Sequence, residues 1–312
     1  MDRIQYYEKH ELLRLVTRDG FVVNALLVTN KEDKRDDALR APILLQVHGL
    51  LGHFLAHGTP RVLPHALFER GFDSLSINTR LATSGQITGQ GIFDDTINDI
   101  DVAVQFLEGE GFSNIFVLGY SLGAAMVVNW AASRQNERMR GIVLEGAVYS
   151  GPTSQKKRFT TWGSDPSYEK VYVRAKELLG DDPHDSRDDQ TFVAYQCRGS
   201  DRTPGSSEIF TYKTWWFMSG PEARRAMVHE HIDKIKIPIL LVRGEADFLT
   251  ESWEPEALAE IVRKAGNRKV RVKQIPNARH DCMENPEAMV SEITKMFLEH
   301  SVDPYIRQPT AK

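Results

Sequence analysis

The chain alternates between short apolar runs and stretches whose apolar residues recur at helical spacing. Ile43-Leu44-Leu45-Gln46-Val47 is almost unbroken in apolar character, the mark of a strand covered on both faces, as in a parallel sheet. Further strands are predicted over Asp73–Asn78, Asn114–Leu118, Gly141–Glu145, Ile237–Val242 and Val270–Ile275. Between two of them, Ile97, Ile100, Val104 and Leu107 follow at spacings of three, four and three, which puts them on one helical face. Helices are also predicted over 62–70 (closed by Gly71), Leu122–Ala132, Pro255–Lys264 and Pro286–Glu299. Strand and helix in this order predict an α/β fold, a parallel sheet with helices on both faces. Ahead of it, Leu13–Thr17 and Phe21–Val28 read as a hairpin, with Asp19-Gly20 supplying a type I′ turn. Lys31–Arg40 reads as a surface loop, and the tail from Ser301 as frayed.

The rhythm stops over residues 151–235, which hold turn residues, charges and no clear sheet strand, and it resumes at Ile237. Residues 1–150 and 236–312 therefore read as one α/β core, with 151–235 inserted into it. Phe210, Tyr212, Trp215, Trp216, Phe217 and Met218 concentrate aromatic surface in a short helix-like stretch of this insertion. Ser219-Gly220-Pro221 should end that helix and begin another, since proline suits a first helical position. The acidic run Asp181–Asp189 shows no ligand spacing and reads as a solvated loop, with no metal site expected.

Composition narrows the class. The 312 residues are 41% hydrophobic and 26% charged, with a net charge of −4. No long basic run appears, so nucleic acid is not an expected partner. The N-terminus lacks the apolar core of a signal peptide and no stretch of about 18 apolar residues exists, so no membrane span is expected and the expected location is cytoplasmic. Cys197 and Cys282 form neither a disulfide framework nor a CxxC motif and are expected as free thiols.

The candidate chemistry begins at Gly119-Tyr120-Ser121-Leu122-Gly123, a G-x-S-x-G element between a predicted strand and a predicted helix. The pattern alone also arises by chance. Here Gly119, Gly123, Ala124 and Ala125 supply the small neighbours that a sharp strand-to-helix turn demands. Such a turn lifts the hydroxyl above the sheet and sets a helix N-terminus beneath it, where developing negative charge is stabilised. Ser121 is the candidate nucleophile. A serine hydroxyl needs a base, and His280 lies in the short loop between the last predicted strand and the last helix. His53, His57, His65, His184, His229 and His231 read as surface or packing residues. Asp247 follows the strand 237–242 at the edge where sites of open α/β sheets form, and is the candidate acid that orients the imidazole. Glu145, at the end of another core strand, is the rival. Leu122 and a residue of His48-Gly49-Leu50-Leu51-Gly52, foremost Leu50, are the candidate backbone N–H donors of an oxyanion hole. His48 reads as structural, and Leu51, Trp216 and Phe217 as lining for a substrate.

These four segments, in spacing, order and context, resemble the α/β-hydrolase superfamily over roughly 1–150 and 236–312. The resemblance implies an eight-stranded, mostly parallel sheet with the insertion as a cap (lid), and a Ser-His-Asp triad whose members follow in the chain order Ser121, Asp247, His280, without a cofactor. It implies a carboxylesterase-like serine hydrolase that cleaves an apolar acyl ester or thioester through an acyl-enzyme. A carbon–carbon bond hydrolase, an acyltransferase and a non-catalytic ligand-binding protein on the same fold are the alternatives.

Overall fold

The apolar runs do lie side by side. The computed structural model describes residues 8–30, 41–86, 91–134, 136–197 and 205–302. Its strands are β1 (Glu8–Val16), β2 (Val22–Asn30), β3 (Ile43–Val47), β4 (Asp73–Asn78), β5 (Ile115–Tyr120), β6 (Met139–Glu145), β7 (Thr191–Gln196), β8 (Ser206–Thr211), β9 (Ile239–Gly244) and β10 (Val270–Ile275). All but β7 and β8 form one eight-stranded sheet in the order β1-β2-β4-β3-β5-β6-β9-β10. The β1–β2 and β2–β4 pairs are antiparallel and the other five are parallel.

The helices are α1 (Thr59–Phe68), α2 (Thr96–Glu110), α3 (Leu122–Ser133), α4 (Gly151–Thr161), α5 (Tyr168–Leu179), α6 (Tyr212–Ser219), α7 (Glu254–Lys264) and α8 (Pro286–His300). Central strands are apolar at successive positions because each face meets its own helical layer. Ile43, Leu45, Val117, Ile142 and Leu241 join Ile100, Leu107, Val127 and Leu258 of α2, α3 and α7 in one core. Their neighbours Leu44, Phe116, Val143 and Leu240 join Leu63, Leu67, Val290 and Phe297 of α1 and α8 in the other. Burying both sides removes water from nearly every side chain of these strands, the main favourable term in folding.

Three local expectations need correction. The β1–β2 connection is not a two-residue type I′ turn. It spans residues 17–21, because pairing ends at Val16↔Val22, and only Gly20 in it has positive φ. The Thr17 side chain closes it, accepting from Phe21 N–H at 2.9 Å. Residues 151–235 do contain strands: β7 and β8 pair antiparallel as a separate two-stranded sheet. No α-helix starts at Pro221; short 3₁₀ turns follow at Arg224–Ala226, Val228–Glu230 and Ile232–Lys234. The loop expected at Lys31–Arg40 and the tail beyond Val302 lie outside the described residues. Among those described, no helix is long and apolar enough to cross a membrane, and Cys282 is a buried free thiol.

Candidate active site

Strands β3, β5, β6, β9 and β10 run in the same direction, so the segments after them meet at one edge of the sheet. Those segments carry His48–Gly52, Ser121, Gly146, Asp247 and His280. Ser121 sits between β5 and α3 with φ 53° and ψ −117°, a left-handed region that costs a residue with a side chain of order 1–3 kcal/mol. The turn is held by Ser121 N–H donating to the Glu145 carbonyl at 2.7 Å. It is also too tight for larger neighbours. A Cβ at Gly119 would press into the Gly123 carbonyl, and one at Gly123 would lie 2.5 Å from the Val47 and His48 carbonyls.

Loop 48–52 comes close to this serine: a Cβ on Gly49 would stand 3.0 Å from Ser121 Cβ. Leu50 follows Gly49 in this loop, and Leu122 follows Ser121 as the first residue of α3. His48 holds the loop. Thr79 N–H donates to its Nε2 at 3.1 Å, so the ring proton is on Nδ1, which donates to the Gly49 carbonyl at 2.8 Å. Burial holds this imidazole neutral, with its pKa pushed down to about 4.

His280 Nδ1 lies 2.8 Å from Asp247 Oδ2. The histidine loop is bent on both sides, at Asn277 (φ 57°) and Cys282 (φ 56°). It is also stitched to the acid loop, with Glu245 N–H on the Ile275 carbonyl at 2.9 Å and Ala246 N–H on the Ala278 carbonyl at 2.8 Å. Asp247 accepts further bonds from Leu249 N–H at 2.7 Å and the Thr250 hydroxyl at 2.5 Å. Burial opposes its ionisation, but His280 and the Thr250 and Leu249 donors outweigh burial and hold the carboxyl below its ordinary pKa. Behind it, the buried Arg243 guanidinium donates to the carbonyls of Gly244, Glu245, Asp247 and Thr250. Neither Arg243 nor Thr250 stood out in the sequence, because their partners are backbone and carboxylate groups that only the folded loop assembles.

The other His280 nitrogen, Nε2, is buried and has no hydrogen-bond partner among the described residues, so Ser121 and His280 are not hydrogen-bonded to each other here. Such bonds often tighten only when substrate is bound. Gly146 gives the imidazole its room: at φ 59°, a Cβ there would stand 2.7 Å from His280 Cε1. Glu145 does not reach His280. Its Oε1 lies 2.8 Å from the Thr59 hydroxyl. Glu245 is bonded elsewhere, accepting from Asn277 N–H at 3.1 Å.

A family model described as serine aminopeptidase, S33, matches residues 44–287. The chain belongs to this family of α/β-hydrolases. No protein of curated function matches it by sequence. Among solved structures it resembles an esterase from Pyrococcus furiosus, at 16% identity over 95% of this chain and 92% of that one, with a TM-score of 0.65. It also resembles the esterase Est1E from Butyrivibrio proteoclasticus, at 18% identity over 92% and 98%, with a TM-score of 0.58. At these identities the likeness is one of fold.

In this S33-family chain the ring beside His280 is that of Tyr120, at 5.3 Å, and residues 151–235 carry further aromatics. Trp216 is buried and stacks on Tyr172 at 5.6 Å, and Phe217 meets His184 edge-on at 5.0 Å. Both contacts lie within the insertion. Phe210 reaches further, because β8 bridges to the core through Ile209 N–H on the Gly85 carbonyl at 2.9 Å. The side chains of Leu51 and Phe210 both lie over Gly85. Gln86 Nε2 in turn donates to the Leu51 carbonyl at 2.9 Å. A cleft of about 430 Å³ opens between α4 and the segment after Asp247, with Phe248 and Trp253 exposed at its rim.

Proposed function

We propose that this chain is a serine hydrolase that cleaves a carboxylic ester or thioester of an apolar acyl group. His280 takes the Ser121 proton, Oγ attacks the acyl carbon, and the backbone N–H groups of Leu50 and Leu122 receive the oxyanion. His280 then protonates the departing alcohol or thiol, and a water deprotonated by His280 releases the acid from Ser121. Asp247 holds the imidazole with Nδ1 protonated and stabilises the imidazolium. No cofactor enters these steps. Residues 151–235 serve as the cap, with Leu51 and Phe210 against the acyl group and Trp216 and Phe217 behind them.

The observation that carries this reading is His280. Its Nδ1 is engaged by an ionised Asp247 and its Nε2 has no partner among the described residues, on the same sheet edge as a serine in a forced turn. The esterases of similar fold support an ester as the substrate class, and the family description makes aminoacyl amides the class to assay beside it. A fluorophosphonate probe should label Ser121, and labelling should be blocked by the best substrate among acyl esters, thioesters, β-diketones and aminoacyl anilides. Intact protein that never labels, or an adduct on another residue, would exclude the acyl-enzyme.

A further inference from the structure

Glu145 is a fully buried carboxyl group for which the proposed reaction has no use, yet it touches both halves of the site. It is the last residue of β6, in register with Tyr120 of β5. Its backbone carbonyl takes the Ser121 N–H. Its side chain points toward the N-terminus of α1, where the Thr59 hydroxyl lies 2.8 Å from Glu145 Oε1 and also 2.8 Å from the carbonyl of Asp281. Asp281 is the residue after His280. Cys282, one residue further, is fully buried.

Counting protons decides the state of this chain of contacts. A threonine hydroxyl has one proton, and both of its neighbours here carry lone pairs. With Glu145 ionised, one of the two 2.8 Å contacts would set oxygen against oxygen with no hydrogen between them. With Glu145 neutral, the acid proton goes to Thr59 and the threonine proton goes to the Asp281 carbonyl, so both contacts are hydrogen bonds. The surroundings favour the same state. The carboxyl is removed from water, and Asp281 and Asp247 are the anions that face it, alongside Tyr120 and Cys282.

We propose that Glu145 and Thr59 are positioning residues that tie the His280 loop to the strand end anchoring Ser121. The carbonyl of Asp281 is held from below through Thr59, while Gly146, the next residue after Glu145, meets the imidazole from the side. One strand end thus sets the nucleophile through its backbone and the base through its side chain. This assignment rests on the acyl-enzyme reading above. It gives Glu145 a part distinct from that of a triad acid, since the His280 Nδ1 contact belongs to Asp247.

The test uses the full chain and two substitutions that break the relay, Thr59→Val and Glu145→Leu, with Thr59→Ser and Glu145→Gln as their conservative counterparts. A glutamine amide still donates to Thr59, so it stands in for a neutral acid. The readouts are kcat and KM on a short p-nitrophenyl ester, the rate of fluorophosphonate labelling, and the downfield proton resonance of His280 Nδ1–H. Misplacing a base by a fraction of an ångström should lower kcat and the labelling rate about 10- to 100-fold with KM unchanged. Thr59→Ser and Glu145→Gln should recover most of that loss, and the His280 resonance should move in the first pair and return in the second. Wild-type kcat in Thr59→Val, or a Glu145→Gln enzyme as slow as Glu145→Leu, overturns the proposal. Should the wild type itself fail to label, the acyl-enzyme reading falls, and the resonance then decides the positioning role. A His280 signal unmoved in Thr59→Val and Glu145→Leu overturns that role as well.

Discussion

The eight-stranded core and the segment 151–235 differ in how closely apolar character follows burial. In β3, Ile43, Leu44, Leu45 and Val47 are apolar and fully buried. In the β7–β8 hairpin Phe192, Ala194 and Phe210 are buried too, but polar groups are buried beside them. Gln196 and Glu208 are buried and paired with each other at 3.4 Å, while Tyr195 of the same hairpin is half exposed. What faces inward there depends on Phe192 and Phe210 meeting the rings around Trp215. The core is specified strand by strand, whereas the insertion is specified by contacts between distant residues. The proposed division of labour follows the same line, with bond-making groups on the core and selectivity on the insertion.

The sharpest way to break that division is Ser121→Ala. It should cost roughly 10⁶-fold in kcat, by analogy with other triad serines, and remove probe labelling while thermal unfolding stays unchanged. Mass spectrometry finding the adduct elsewhere would move the chemistry off the core elbow. Asp247→Asn comes next, at about 10⁴-fold in kcat, measured by steady-state kinetics. If Glu145→Gln cost more, the acid would belong to β6 and not to the loop after β9.

The insertion should respond in a different variable. Phe210→Ala should change kcat/KM along a series of p-nitrophenyl esters, by roughly 10- to 60-fold if two or three methylenes lose contact at about 0.8 kcal/mol each. Trp216→Ala should instead cost about 3–5 kcal/mol of stability, seen in denaturant unfolding, with chain-length preference kept. An exchange of these two outcomes would place the acyl group against α6 and not against β8.

The smallest effect concerns pH. Burial pushes Glu145 well above the usual glutamate value of 4.5, so above that pH the native state holds a proton that the unfolded chain has released. Stability should therefore decline as pH rises from about 4.5 toward the raised value, by the proton difference between the two states. Glu145→Gln lacks this proton, so its melting temperature relative to wild type should climb with pH. A constant difference would mean that Glu145 is ionised in the native core.

Local pattern was enough for the parallel sheet, because a strand buried on both faces has to be apolar at almost every position, and for the elbow, because a tight turn demands Gly119 and Gly123 around Ser121. The hairpin loop at 17–21 escaped it, since Asp19-Gly20 fits several turn geometries and the Thr17 side chain selects among them. The pairing of His280 with Asp247 rather than Glu145 was a choice between two carboxylates at the ends of neighbouring strands, β9 and β6. Tertiary structure made that choice, because Thr59 of α1 occupies the Glu145 carboxyl while the loop after β9 turns Asp247 toward the imidazole. A sequence lists charges along one dimension, and which of them share a proton depends on three-dimensional distances that only the packed elements set.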